Sequence, residues 1–417
     1  MRRRGIALAT LLVALVSAAA AGDAPAIQRV VAAGQTAPGG GTFERFNVES
    51  LPVVAPVNDR GQITFFASLL RSAAAEGLFL ASGPVITKVA VEGDPAPGGG
   101  TLSGFGKHPV PALNAHGTVA FAAAVAGGKT VEGIFLAPSG RLLRDVAVAG
   151  GPAPGIPSGT FASLDAPALN DRDDVAFLAT VRRGRDTIDA VYLRAGGALR
   201  KVVAQGDPAP AGGTFAAFGP PALNGRGVVA FAAVVEGRAV PGGLFVADGR
   251  GVRMLVGAGD ESPIGGIFAK FSERIALNDA GTVAFAVVLK GVRVSQAIVL
   301  VEAGGARKVA ALDEEAPGGG TFSHFGPWPS LSRAGAVGFT ASVDHGPAAV
   351  AAFVITPGHA ARVAALGDAL PGGGRLASFG LYPVISLSGS GAVTFASAPT
   401  ATGEGVEGVF VIPAARR

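Results

Sequence analysis

Apolar residues come along this chain in short runs cut off by Gly, Pro, Asn and Asp, with few of the Glu, Lys and Gln that favour helices. Between residues 198 and 249 the runs are Leu199–Ala204, Pro220–Leu223, Val228–Val235 and Gly243–Ala247. Runs of this length between turn residues predict strands. Asn224-Gly225-Arg226-Gly227 separates the second run from the third, and Asn first with Gly fourth is a type I turn preference. So short a link joins only antiparallel neighbours, because a parallel crossover takes about a dozen residues or more. Asp248-Gly249-Arg250-Gly251 ties the fourth run to the next one in the same way. The unit is a four-stranded antiparallel meander.

The unit recurs along the chain. The pattern N-x-x-G-x-V-A-F starts at Asn58, Asn114, Asn170, Asn224, Asn278, Ser332 and Ser388, at spacings of 54 or 56 residues. It closes at Phe65, Phe121, Phe177, Phe231, Phe285, Phe339 and Phe395. Seven repeats of about 27–83, 84–140, 141–197, 198–249, 250–305, 306–358 and 359–413 make one domain over 22–413, followed by a tail at 414–417. A sheet this small buries both faces only against its own copies. Four strands per repeat of roughly 40–50 residues is the mark of a propeller blade. The expected fold is all-β, a seven-bladed β-propeller. A β-solenoid is the alternative, and the tight antiparallel turns oppose it.

Each repeat has one long connection, the glycine–proline loop that reads GDPAPGGGT at 93–101. In a propeller this link leads from the outer strand of one blade to the inner strand of the next. The N-terminal strand near Ile27–Ala32 then completes the last blade beside Gly408–Ile412 and closes the ring. Of the 24 phenylalanines, only Phe66 stands outside four recurring positions. Aromatics repeated in this way predict packing between blades.

Composition and the N-terminus change the functional picture. Arg2, Arg3 and Arg4, the apolar stretch Ile6–Val16 and Ala19-Ala20-Ala21 form the three parts of a signal peptide over 1–21. Its apolar run is too short for a membrane span. Removing it takes Lys+Arg from 34 to 31 against 30 acidic residues, so the net charge falls from +4 to +1. Neither nucleic-acid binding nor membrane insertion of the mature chain is expected. The chain has no cysteine, which excludes thiolate metal sites, thiol nucleophiles and disulfides. Export to the periplasm or the exterior, as a monomer, is the expectation.

The motifs N-x-x-G-x-A-F and G-D-P-A-P-G-G-G-T resemble the NxxGxxAF tandem-repeat family of exported bacterial proteins, also called choice-of-anchor proteins. Asn114–Phe121 and Asn278–Phe285 match fully; Asp173, Ser332 and Ser388 depart from the pattern but suit turns. The last residues, Val411 to Arg417, lack a hydrophobic sorting tail, so the resemblance implies export but does not imply attachment. It implies no catalytic residues.

Candidate chemistry is sparse. Gly127-Gly128-Lys129-Thr130 mimics the end of a phosphate-binding loop, but Ala123 stands where the earlier glycine is required and no helix follows. Asp94, Asp207, Asp260, Glu314 and Asp368 recur in the glycine–proline loops. One carboxylate per loop suits a turn cap better than calcium, which needs several oxygens, so no cofactor is expected and calcium is a weak alternative. The informative residues break the repeat. The segment before the Asn position varies in length and carries Glu49, Lys107, His108, Asp165, Glu273, Arg274, Trp328 and Tyr382. With the following strand innermost, these residues are expected to gather at one mouth of the central channel as a binding site for a glycan or a protein or peptide partner. The favoured function is a non-enzymatic binding or scaffold protein. A polysaccharide hydrolase or lyase with a channel site, and a purely structural cell-envelope protein, are the alternatives.

Overall fold

The computed structural model describes residues 26–46, 54–105, 110–210, 212–237, 241–380, 382–400 and 402–414, and no helix occurs among them. Residues 1–21, read from the sequence as a signal peptide, lie outside the described residues. Seven antiparallel sheets follow one another along the chain as the blades of a β-propeller. Blade 4 shows the plan. Its inner edge is Thr214–Phe218 and Ala222–Leu223, two pieces that both pair with Val229–Glu236. Gly242–Asp248 comes next and Gly251–Gly257 is outermost.

From the sequence only the shorter inner piece is expected as a strand. The longer piece is the F-x-x-F stretch after the glycine–proline loop, and its register shifts between Phe215 and Ala217. That extra residue is a bulge. It lets two aromatics three positions apart face the same way, with ring centroids 5.5 Å apart.

Gln28–Ala32 pairs antiparallel with Gly408–Ile412, so the first strand of the chain is the outer strand of blade 7. The ring is closed as expected. Two bonds from blade 1 add to the closure: Ser390 N–H donates to Asp59 Oδ1 at 2.7 Å, and Phe46 N–H to Glu407 Oε1 at 2.6 Å.

The core is divided into seven clusters, each lying between two neighbouring blades. Strand alternation explains this. Along Val229–Glu236, Val229, Phe231, Ala233 and Val235 face blade 3, while Ala230 and Ala232 face blade 5. The recurring rings lie on one face of each blade, and small aliphatic residues of the preceding blade meet them. Phe66, the odd phenylalanine, points from blade 1 into the cluster it shares with blade 2. Tyr192 takes a ring position in blade 3, and its hydroxyl donates to Pro154 O at 3.2 Å.

The repeated Asn does more than start a turn. Asn170 Oδ1 accepts the N–H groups of Arg172 (2.9 Å) and Asp174 (3.0 Å), while its Nδ2 reaches the next blade and donates to Asn224 O at 3.0 Å. The same link runs from Asn58 to Asn114 O, Asn114 to Asn170 O, Asn224 to Asn278 O and Asn278 to Ser332 O. Ser332 and Ser388 keep only the inner half of the device, each hydroxyl accepting the N–H four residues on at 2.9 Å. Asp173, in the glycine position of the third copy, adopts φ 60° and accepts from Asn114 Nδ2 at 2.9 Å. Asn170→Ala therefore loses about 1–3 kcal/mol, the penalty for stranded buried partners. Asn170→Ser loses less, because a hydroxyl still serves the turn. Urea unfolding of the two variants measures the difference.

The glycine–proline loop is a compact connector. At Gly100, φ is +79° and an added Cβ would lie 2.4 Å from Ala126 O. The recurring loop acids cap these turns, each accepting the N–H three residues back. Asp94 takes Val91 (2.9 Å), Asp207 Ala204 (2.8 Å), Asp260 Gly257 (2.7 Å), Glu314 Ala311 (3.0 Å) and Asp368 Ala365 (2.8 Å). Lys88, Lys201 and Lys308 pair with three of them.

Candidate functional site

The gaps between blades are not equal, and one recurring side chain sets three of them apart from the rest. At the start of the third strand, Glu407, Glu76 and Glu132 reach into the next blade. Each accepts the N–H of the residue ending the F-x-x-F stretch there: Phe46 at 2.6 Å, Phe105, and Leu164 at 2.7 Å. A carboxylate thus seals the gaps 7/1, 1/2 and 2/3. The next position, Asp189, is one methylene shorter and instead accepts from Thr180 Oγ1 of its own blade at 2.9 Å. The remaining three positions are Gly242, Gln296 and Val350.

Beside two of these, Gly242 and Gln296, clefts open. One of about 270 Å³ lies between blades 4 and 5, lined by Phe218, Val234, Gly242, Lys270 and Glu273. A larger one, about 620 Å³, lies between blades 5 and 6, lined by Lys270, Glu273, Gln296, His324, Trp328 and Tyr382. Lys270 and Glu273 belong to both, so they form the shared wall. Both clefts lie toward the face that carries the glycine–proline loops, opposite the Asn turns.

In blades 3 to 6 the variable segment interrupts the inner strand, between its two pieces. Of the residues that the variable segments carry, Glu273, Trp328 and Tyr382 meet in the larger cleft. Arg274 of blade 5 lies over the Trp328 ring of blade 6, its guanidinium carbon 4.6 Å from the ring centroid. Such a contact holds the indole in place. Burial lowers the Arg274 pKa from its ordinary value, and the carboxylates of Asp165 and Glu273 act against that shift. Asp165, from blade 3, thereby joins the group through its charge, and its Oδ1 also accepts Ala166 N–H at 2.6 Å. Tyr382 is 44% exposed. Glu49, Lys107 and His108 lie outside the described residues.

Lys270, His324 and Gln296 do not figure among the sequence candidates. The first two occupy one variable slot, the residue before the second aromatic of F-x-x-F, where the chain has Arg45, Gly104, Ser163, Ala217, Lys270, His324 and Ser378. Variation between two recurring aromatics is the signal that marks it. Gln296 is marked by the change from Glu at the third-strand position. Among the described residues no group of three or more His, Asp or Glu is placed to hold a metal ion. No helix there is long and apolar enough to cross a membrane.

Among solved structures, an oligogalacturonate lyase in complex with manganese is similar at 13% identity and a TM-score of 0.51, over 94% of this chain and 97% of that chain. A Mycobacterium tuberculosis puromycin-hydrolyzing peptidase is similar at 14% identity and a TM-score of 0.49. The similarity covers 87% of this chain and 53% of that one, so the chain spans about half the length of that relative. The Dos1 propeller is similar at 9% identity and a TM-score of 0.43, over 89% of this chain and 94% of that chain. At 13% identity the likeness to the lyase speaks for the fold alone. No curated protein matches the chain. The family that matches is not the NxxGxxAF family that the repeat motifs resemble, and that resemblance is not confirmed. With matches over residues 13–298 and 243–411, in overlapping stretches as an internally repeated chain allows, the protein belongs to a family of unknown function (DUF7453).

Proposed function

We propose that this is an exported, non-catalytic propeller that binds a glycan in the cleft between blades 5 and 6. The observation that carries the reading is the pairing of Trp328 and Tyr382 with Lys270, Glu273, Gln296 and His324 in one open groove. Aromatic side chains offer flat apolar surface to the C–H faces of a sugar ring, and the polar groups around them fix its hydroxyls. The Arg274–Trp328 contact supports the reading, because a platform already held in place loses less conformational entropy on binding.

A glycan array probed with the mature chain tests it. Retention of at least one class of polysaccharide is expected. Trp328→Ala combined with Tyr382→Ala weakens it by about tenfold or more, the scale of losing two anchor side chains, while the circular dichroism spectrum stays that of the parent. Unchanged retention by the double variant removes the reading. A peptide partner would show as retention on peptides with none on glycans.

One arrangement favours a second reading. Glu273 and His324 line the same cleft, and two titratable groups around one groove are what a polysaccharide hydrolase or lyase requires. Release of reducing ends or of unsaturated products from a retained glycan, lost in Glu273→Gln, would establish it.

A further inference from the structure

We infer that the cleft between blades 5 and 6 selects glycans bearing a carboxylate, and that the ligand's carboxylate takes the place held by a glutamate in the sealed gaps. This rests on the glycan reading above and adds the ligand's chemical class.

Backbone direction carries the inference. In blade 3, Asp165 N–H bonds Leu178 O within its own sheet, so the preceding N–H, that of Leu164, points outward and meets Glu132. In blade 6, Gly326 N–H bonds Thr340 O within the sheet at 2.7 Å. Successive N–H groups of an extended strand alternate in direction, so Phe325 N–H points outward in the same way. The residue opposite is Gln296, not a glutamate. Among the described residues the Gln296 side-chain amide has no hydrogen-bond partner.

This gap therefore keeps the donor and lacks the carboxylate; the Gln296 amide carries both an acceptor oxygen and an NH2 donor, and can turn the NH2 into the cleft. It offers a backbone N–H and a side-chain amide beside Lys270 and His324, both exposed at the rim. A carboxylate has two oxygens, accepts both donors and gains a charge-assisted bond from the lysine. A hydroxyl in the same place keeps a donor of its own and brings no charge. Glu273, the acid lining this cleft, is opposed by the Arg274 charge next to it.

Calorimetric titration of the mature protein tests the idea, using trimers of galacturonate, mannuronate and guluronate and the carboxyl-reduced form of each. At least one acidic trimer is expected to bind about tenfold tighter than its reduced form, with affinity falling as salt rises. Gln296→Glu is expected to remove that preference, because the introduced carboxylate accepts Phe325 N–H as Glu132 accepts Leu164 N–H. The reduced trimer should bind this variant as it binds the parent. The variant should melt at or above the parent, which guards against a folding artefact. Equal affinity for an acidic trimer and its reduced form overturns the carboxylate inference and leaves the glycan reading standing. An acid preference that survives Gln296→Glu overturns the placement. Binding of none of the six overturns the carboxylate inference, while the glycan array decides the glycan reading separately.

Discussion

Phe231→Ala lowers the unfolding free energy by roughly 3–5 kcal/mol, the range for deleting a fully buried aromatic ring. Phe231 is 0% exposed and lies at the centre of the cluster between blades 3 and 4. Its ring centroid is 5.8 Å from that of Phe218, 6.1 Å from Phe215 and 5.8 Å from Phe245, the last nearly parallel at 17°. All three partners sit on the same blade face, and the sheet backbones cannot close together to fill the space. The cavity therefore persists, and its walls lose contacts that nothing replaces. Urea denaturation checks the figure. Leu142→Ala, at a side chain 89% exposed, serves as control and is expected to stay within about 0.5 kcal/mol. A loss at Phe231 no larger than the control's would mean that the rings do not form the gap-filling layer.

Removing the first strand, Gln28–Ala32, has a still larger effect because it opens the ring. The strand contributes four backbone pairings, from Gln28 with Val411 to Ala32 with Gly408, and buries Val31 completely. Roughly 1 kcal/mol for each of the four pairings and about 2 kcal/mol for the valine put the direct loss near 6 kcal/mol. The exposed strand Gly408–Ile412 then becomes an unpaired apolar edge, a template for association. The truncated protein is expected to melt at least about 10 °C lower, or to form oligomers, as seen by scanning calorimetry and light scattering. A synthetic peptide of residues 26–33, added in excess, should restore the parental melting curve by mass action. A truncated chain that melts like the parent would show that the clasp is dispensable.

These two effects share an origin in the way the fold is divided. A propeller has no single core; it has a ring of separate cores, each formed by two blades. A defect in one gap is local, as at Phe231. Loss of the clasp frees blade 7 from its outer strand and weakens the contact on which closure depends.

The sequence by itself determined the repeat, the antiparallel unit, the count of seven and the clasp. These are local or periodic properties: the turn at Asn224–Gly227, the recurring Phe positions, and a first strand without a blade of its own. It also marked Trp328, Tyr382, Glu273, Arg274 and Asp165 as departures from the repeat. It did not disclose what those residues do together. Arg274 and Trp328 are 54 residues apart and meet only because the ring brings blades 5 and 6 side by side. The link from Asn170 to Asn224 O likewise needs the next blade in place, so from sequence the asparagine reads only as a turn residue. Gln296 is the clearest case. Its difference from Glu76, Glu132 and Glu407 is plain in the sequence, yet nothing local says that a glutamate there seals a gap. Only the tertiary structure shows which N–H the carboxylate reaches, and therefore which gap stays open without it. Hydrogen bonds act over about 3 Å, and distances of that size between residues half a repeat or more apart are set by how the blades pack, not by the order of residues along the chain.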